Sequence, residues 1–132
     1  MAAVTTLHSR RIHTAAEDDP FEFFFEQGLT DGLPVVPPTE ERVQRMLAET
    51  KRDPQEVLGT IGPNYGRATV EKVAINAVMA GCHPSYFPTI LAVAEALSDE
   101  KFNAHALNVT TFSATPLTII NGPVRNEIGV NC

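Results

Sequence analysis

The sequence has little that would join it to a nucleic acid or a lipid bilayer. Its 10 lysines and arginines face 16 aspartates and glutamates, a formal charge of −6. A phosphate backbone or an anionic lipid face needs a basic surface, so neither is expected as a partner. No apolar run reaches the roughly 18 residues of a membrane span. Arg10 and Arg11 are followed by no apolar stretch, so a secretory leader is not expected. The two cysteines, Cys82 and Cys132, lie far apart and match neither a zinc pattern nor a disulfide framework. A reducing cytoplasm is the expected location. G-x-S-x-G, H-E-x-x-H and C-x-x-C are all missing, which removes the common hydrolase, zinc-protease and thioredoxin signatures.

What is present is a chain of 132 residues, 43% hydrophobic, enough for one packed domain without a staple. Residues 1–18 lack periodicity and lead into the acidic run Glu17-Asp18-Asp19, which reads as a flexible arm. Residues 19–132 then form a single α/β domain or half-domain. Asp19-Pro20 is a cap followed by proline, the start of a short helix that Gly28 stops. Phe21, Phe23, Phe24 and Phe25 crowd it, so either the core or a partner chain must cover them. The three prolines of the stretch 31–38 forbid a helix and favour an extended segment along a surface. Thr39 caps a second helix, with Val43, Met46 and Leu47 on one stripe. Asp53-Pro54 opens a turn of helix through Val57 and Leu58, and residues 59–67 read as a loop. From about Thr69 to Cys82 an almost wholly apolar helix is expected to be central. His83 precedes Pro84 and ends it, and a further helix runs to about Leu97.

Beyond Asp99 the character changes. Val109 to Phe112 and Leu117 to Ile120 are β-branched runs, read as strands, with Asn121-Gly122-Pro123 as the turn that ends the second. Two strands do not make a stable sheet alone. The expected fold is therefore α/β (α+β), a helical hairpin packed on a small sheet that another chain completes.

Several residues could carry chemistry, and each has a plainer reading beside it. Cys82 lies on the apolar stripe near a helix C-terminus, where the dipole disfavours a thiolate; it is a packed thiol, a nucleophile or a metal ligand. His83 adjoins it, as a cap or as a thiol-activating or metal-binding partner, and His105 could approach the same place. Gly66, Arg67 and Thr69 precede the central helix, where free N–H groups and a guanidinium suit an anion, although the spacing matches no phosphate loop. Glu71 favours the positive end of that helix and, if buried, needs a partner. Asn76 must satisfy its amide by backbone or ligand. Asn121 and Gly122 form a turn that could face a substrate, and Cys132 is an incidental thiol or one that reaches into a partner.

Three blocks carry a resemblance: Asp31-Gly-Leu-Pro-Val-Val-Pro-Pro-Thr39, Ala68-Thr-Val-Glu-Lys-Val-Ala-Ile-Asn-Ala-Val-Met-Ala-Gly-Cys82 and Ile119-Ile-Asn-Gly-Pro-Val-Arg125. Over roughly residues 27–131 the chain resembles a poorly characterised group of bacterial proteins. Some of its members are described as UGSC-type (seleno)proteins, after a U-G-S-C motif in a companion domain. Longer members continue past the equivalent of Asn131 with a glycine-rich stretch, so the resemblance implies a split protein whose C-terminal half is a second polypeptide. In the family a histidine tends to follow the two threonines where this chain has Phe112. No U-G-S-C sequence occurs here, so that motif's selenium or thiol chemistry has no place on this chain.

The expected function is that of a small subunit of a heteromeric enzyme acting on a small molecule, with its site at the subunit interface. Thiol- or metal-dependent reductive (oxidoreductase), lyase or hydrolytic chemistry fits, and a metal ion is the only cofactor the residues suggest. A non-catalytic accessory subunit, or a thiol or metal carrier, is the alternative.

Overall fold

The computed structural model describes residues 6–15 and 19–130. Cys132 and Asn131, and Glu17 and Asp18 of the acidic run, lie outside the described residues. Helix α1 (Pro20–Glu26) begins where expected. Asp19 accepts the Phe21 N–H at 2.8 Å and Pro20 occupies the first turn. It ends in a Schellman motif: Leu29 N–H bonds Phe24 O while Gly28, at φ 64°, bonds Phe25 O. Only Phe24 of its phenylalanines is buried; Phe21 and Phe25 remain exposed. The prolines then hold an extended segment, fixed by Val36 N–H to Met79 O at 3.0 Å. Thr39 caps α2 (Glu40–Leu47), which buries Val43, Met46 and Leu47.

Residues 53–69 make the first departure from the sequence reading. The expected helical turn through Val57 and Leu58, and the loop after it, are an antiparallel hairpin of β1 (Val57–Ile61) and β2 (Gly66–Thr69). Asp53 is the cause. Its side chain takes the Gln55 N–H at 2.7 Å and its carbonyl takes the Glu56 N–H, closing a turn before a helix can start. The loop-forming residues are confined to the tip, Gly62 to Tyr65.

Helix α3 (Val70–Met79) is central, as its apolar surface demands. Val70, Ala74, Ala77 and Val78 are buried against α2 and against Phe87 and Leu91 of α4 (Phe87–Ser98). A short 3-10 turn, Pro84–Tyr86, makes the corner. The helical hairpin thus stands, and α4 also packs on β1. At Gly59 the approach is so close that a methyl group would overlap Ser98 Cβ. The fold is mixed α+β.

The second departure is at the other end. Val109 closes helix α5 (Ala104–Val109), capped by Asn103, instead of opening a strand. Residues 110–121 contain no strand. Their β-branched composition favours an extended backbone, but a strand also needs a neighbour, and no described segment pairs with them. The chain then enters α6 (Pro123–Glu127). The sheet of this structure is therefore β1–β2, not the two runs expected after Asp99.

Candidate functional site

The α3–α4 corner is built by backbone rules. Gly81 takes φ 75°, which L side chains resist, and lets Cys82 N–H return to Ala77 O at 2.9 Å. That bond fixes Cys82 half-buried at the rim of the core. His83, extended because proline comes after it, caps the next turn: its Nδ1 accepts the Ser85 N–H at 3.3 Å. The same nitrogen lies 2.9 Å from Ser85 Oγ, and the ring tilts against Tyr86 at 5.7 Å. With Nδ1 accepting, the neutral ring carries its proton on Nε2. The single lone pair of Nδ1 is taken by the capping N–H, so the contact sets the Ser85 hydroxyl beside the imidazole without itself activating it. Sequence reasoning misses Ser85; its signal is the spacing His-Pro-Ser, a cap two residues ahead of a hydroxyl.

Glu71 sits elsewhere. It lies on the first turn of α3, whereas Cys82 follows the helix's far end, more than roughly 12 Å away along the axis at 1.5 Å per residue. It is 1% exposed. Its carboxylate accepts the His8 N–H at 3.0 Å, the Ser9 N–H at 2.7 Å and the side-chain amide of Gln55. Burial pushes this carboxyl upward. The Ser9 side chain, the His8 and Ser9 backbone and Gln55 outweigh it and hold the group below its ordinary value. Part of the stretch read as a flexible arm is thereby anchored, and no cation among the described residues takes part. Neither Ser9 nor Gln55 carries a sequence signal, because both are distant in the chain.

The remaining candidates scatter. Thr69 caps α3 by accepting the Lys72 N–H, so its hydroxyl is engaged. Asn76 is exposed and donates to Lys72 O at 2.8 Å, the backbone solution to its amide. Gly66 and Arg67 are exposed on β2. His105, on α5, stacks on Tyr65 at the hairpin tip (5.8 Å, 13°), while Asn108 donates to Gly62 O at 2.8 Å. Asn121 lies beside the α4 face, next to Gly122, whose φ of 86° starts α6. No group of three His, Cys, Asp or Glu among the described residues could hold a metal ion, so Cys82, His83 and His105 do not form the ligand set. Nearby, Arg52 bonds Glu56 through two nitrogens and Glu95 at 2.7 Å, which ties the segment before β1 to α4. Those bonds raise the guanidinium pKa and lower that of Glu56.

Two hollows flank these groups. One, about 540 Å³, lies beneath residues 7–14, over α1 and the outer side of α2 and α3. The other, about 580 Å³, lies between α4 and residues 116–121. Among the described residues no helix is long and apolar enough to cross a membrane. Set against protein families, curated proteins and solved structures, the chain has no match.

Proposed function

We propose that this chain is the small subunit of a cytoplasmic, heteromeric enzyme acting on a small molecule. Its second polypeptide would correspond to the C-terminal half of the UGSC-type proteins. One observation carries the reading: residues 115–121 form neither helix nor strand and make no backbone hydrogen bond to any described residue, and Leu117 and Ile119 are 86% and 75% exposed. Unpaired amides and bare apolar side chains in one segment suit pairing with another chain. Asn121, at the end of that segment, would bring the interface beside a substrate, and Cys82, His83 and Ser85 are the groups able to do thiol or acid–base chemistry. Reductive, lyase and hydrolytic reactions all fit such groups.

A non-catalytic accessory role has its own support. Glu71, Thr69 and Asn76 are all engaged in holding the fold. The test is to purify the chain alone and together with the polypeptide encoded next to it. In the complex, amide exchange at residues 115–121 slows markedly. Activity that needs both chains and is lost in Cys82→Ser or His83→Ala supports the enzyme. Activity surviving both changes supports the accessory role. A monodisperse monomer with those amides already protected overturns the reading.

A further inference from the structure

We propose that the hollow beneath the N-terminal segment is a binding site for a small apolar monocarboxylate, distinct from the proposed interface at residues 115–121. It shares no residue with that segment. At about 540 Å³ it falls within the roughly 300–1,000 Å³ of small-molecule sites. Its walls include Phe23 and Phe24, set edge to face at 5.8 Å, with Leu29, Val43, Ile75 and Met79. Such a lining takes an aromatic or branched body of about ten heavy atoms.

The head group is set by the charges that face the same space. Glu71 is turned to the amides of His8 and Ser9 and to Gln55. Glu40 is paired with Arg11 at 3.2 Å. Arg10 lines the hollow and makes no hydrogen bond or ion pair with another described residue. A planar guanidinium without a partner at the mouth of an apolar space matches one planar carboxylate, in a fork of two N–H groups. A dianionic phosphate ester is disfavoured, because Glu40 and Glu71 line the same space. Because Arg10 belongs to the covering segment, an occupant would also hold that segment down.

The experiment is calorimetric titration of the full chain with 4-phenylbutyrate, 4-phenylbutanol and 4-phenylbutylamine, with tryptic cleavage after Arg10 and Arg11 as a second readout. The carboxylate is expected to bind roughly tenfold or more tightly than the alcohol, a difference typical of a charge-assisted pair. It should slow cleavage after Arg10 and Arg11, and the amine should not bind. Arg10→Gln should remove the preference for the carboxylate over the alcohol while leaving the melting temperature unchanged. Ile75→Phe, which fills the hollow, should weaken both ligands together. The absence of carboxylate binding, equal binding of alcohol and carboxylate, or a preference that survives Arg10→Gln would each overturn the proposal. So would loss of the preference in Ile75→Phe with affinity unchanged.

Discussion

Ser9 donates its backbone N–H to Glu71 at 2.7 Å across 62 positions of sequence, and this bond fastens the N-terminal segment to the central helix. A buried carboxylate normally asks for a cation. Here backbone amides and one side-chain amide meet it instead, so segment and helix start depend on each other.

Glu71→Gln places an amide donor among the donors from His8, Ser9 and Gln55. The chain is expected to lose about 1–3 kcal/mol at pH 7, the penalty for a buried polar group left mismatched. Urea denaturation measures it. An unchanged midpoint would mean that the segment contributes nothing to the folded state.

The same carboxyl sets a pH dependence. Its folded pKa lies below the ordinary 4.5. As the pH falls below about 4.5 the unfolded chain takes up a proton before the folded chain does, so stability is full above that value and drains away through the depressed folded pKa. Glu56 shifts in the same direction. Melting curves from pH 7 to 3 should therefore fall for both proteins, less steeply for Glu71→Gln; parallel curves would count against the role given to Glu71.

Gly59 and Ser98 form a contact with no room for a methyl group. Gly59→Ala is expected to destabilise by about 1–3 kcal/mol, the usual range for overpacking. Adding Ser98→Gly should recover a large part of that loss, since the two sites are in contact and cannot act additively. If the double variant is simply the sum of the singles, the β1–α4 packing is not what Gly59 serves.

Arg52→Met removes both links from Arg52 to Glu56 and Glu95. The variant should melt lower in dilute buffer, and the gap should close as NaCl screens the partly exposed charges. A gap indifferent to salt would assign Arg52 a packing role.

Ile119→Asp alters a side chain that is 75% exposed. The isolated chain should melt as before, while association with the proposed second polypeptide should weaken at least tenfold, as expected for a charge placed in an apolar interface. Undiminished association would move the interface elsewhere.

The sequence is most readable where local chemistry decides. Asp19-Pro20, Thr39 and the Pro84 corner all mark helix ends in the structure, because caps and prolines act within a few residues. The apolar surface of α3 foretells its central place. The β1–β2 hairpin is obscured because Asp53-Pro54 imitates a helix start, and the glycines of its tip and flanks resemble a loop. Glu71's dependence on Ser9 cannot be read at all, since no periodicity links residues so far apart. Val109 to Phe112 and Leu117 to Ile120 show the opposite error: composition reports extended preference, whereas a strand is a relation between two segments. In the sequence His83 stands out for its neighbour Cys82, yet its ring meets Ser85 and Tyr86.

If residues 115–121 pair with a second polypeptide as proposed, the solubility of this chain is tied to the company it keeps during synthesis. A segment with unpaired amides and with Leu117 and Ile119 bare would, on that proposal, accept whatever extended polypeptide arrives first, other copies included. Overproduced by itself, the chain should then collect in inclusion bodies; translated together with the proposed second polypeptide, it should stay in the supernatant.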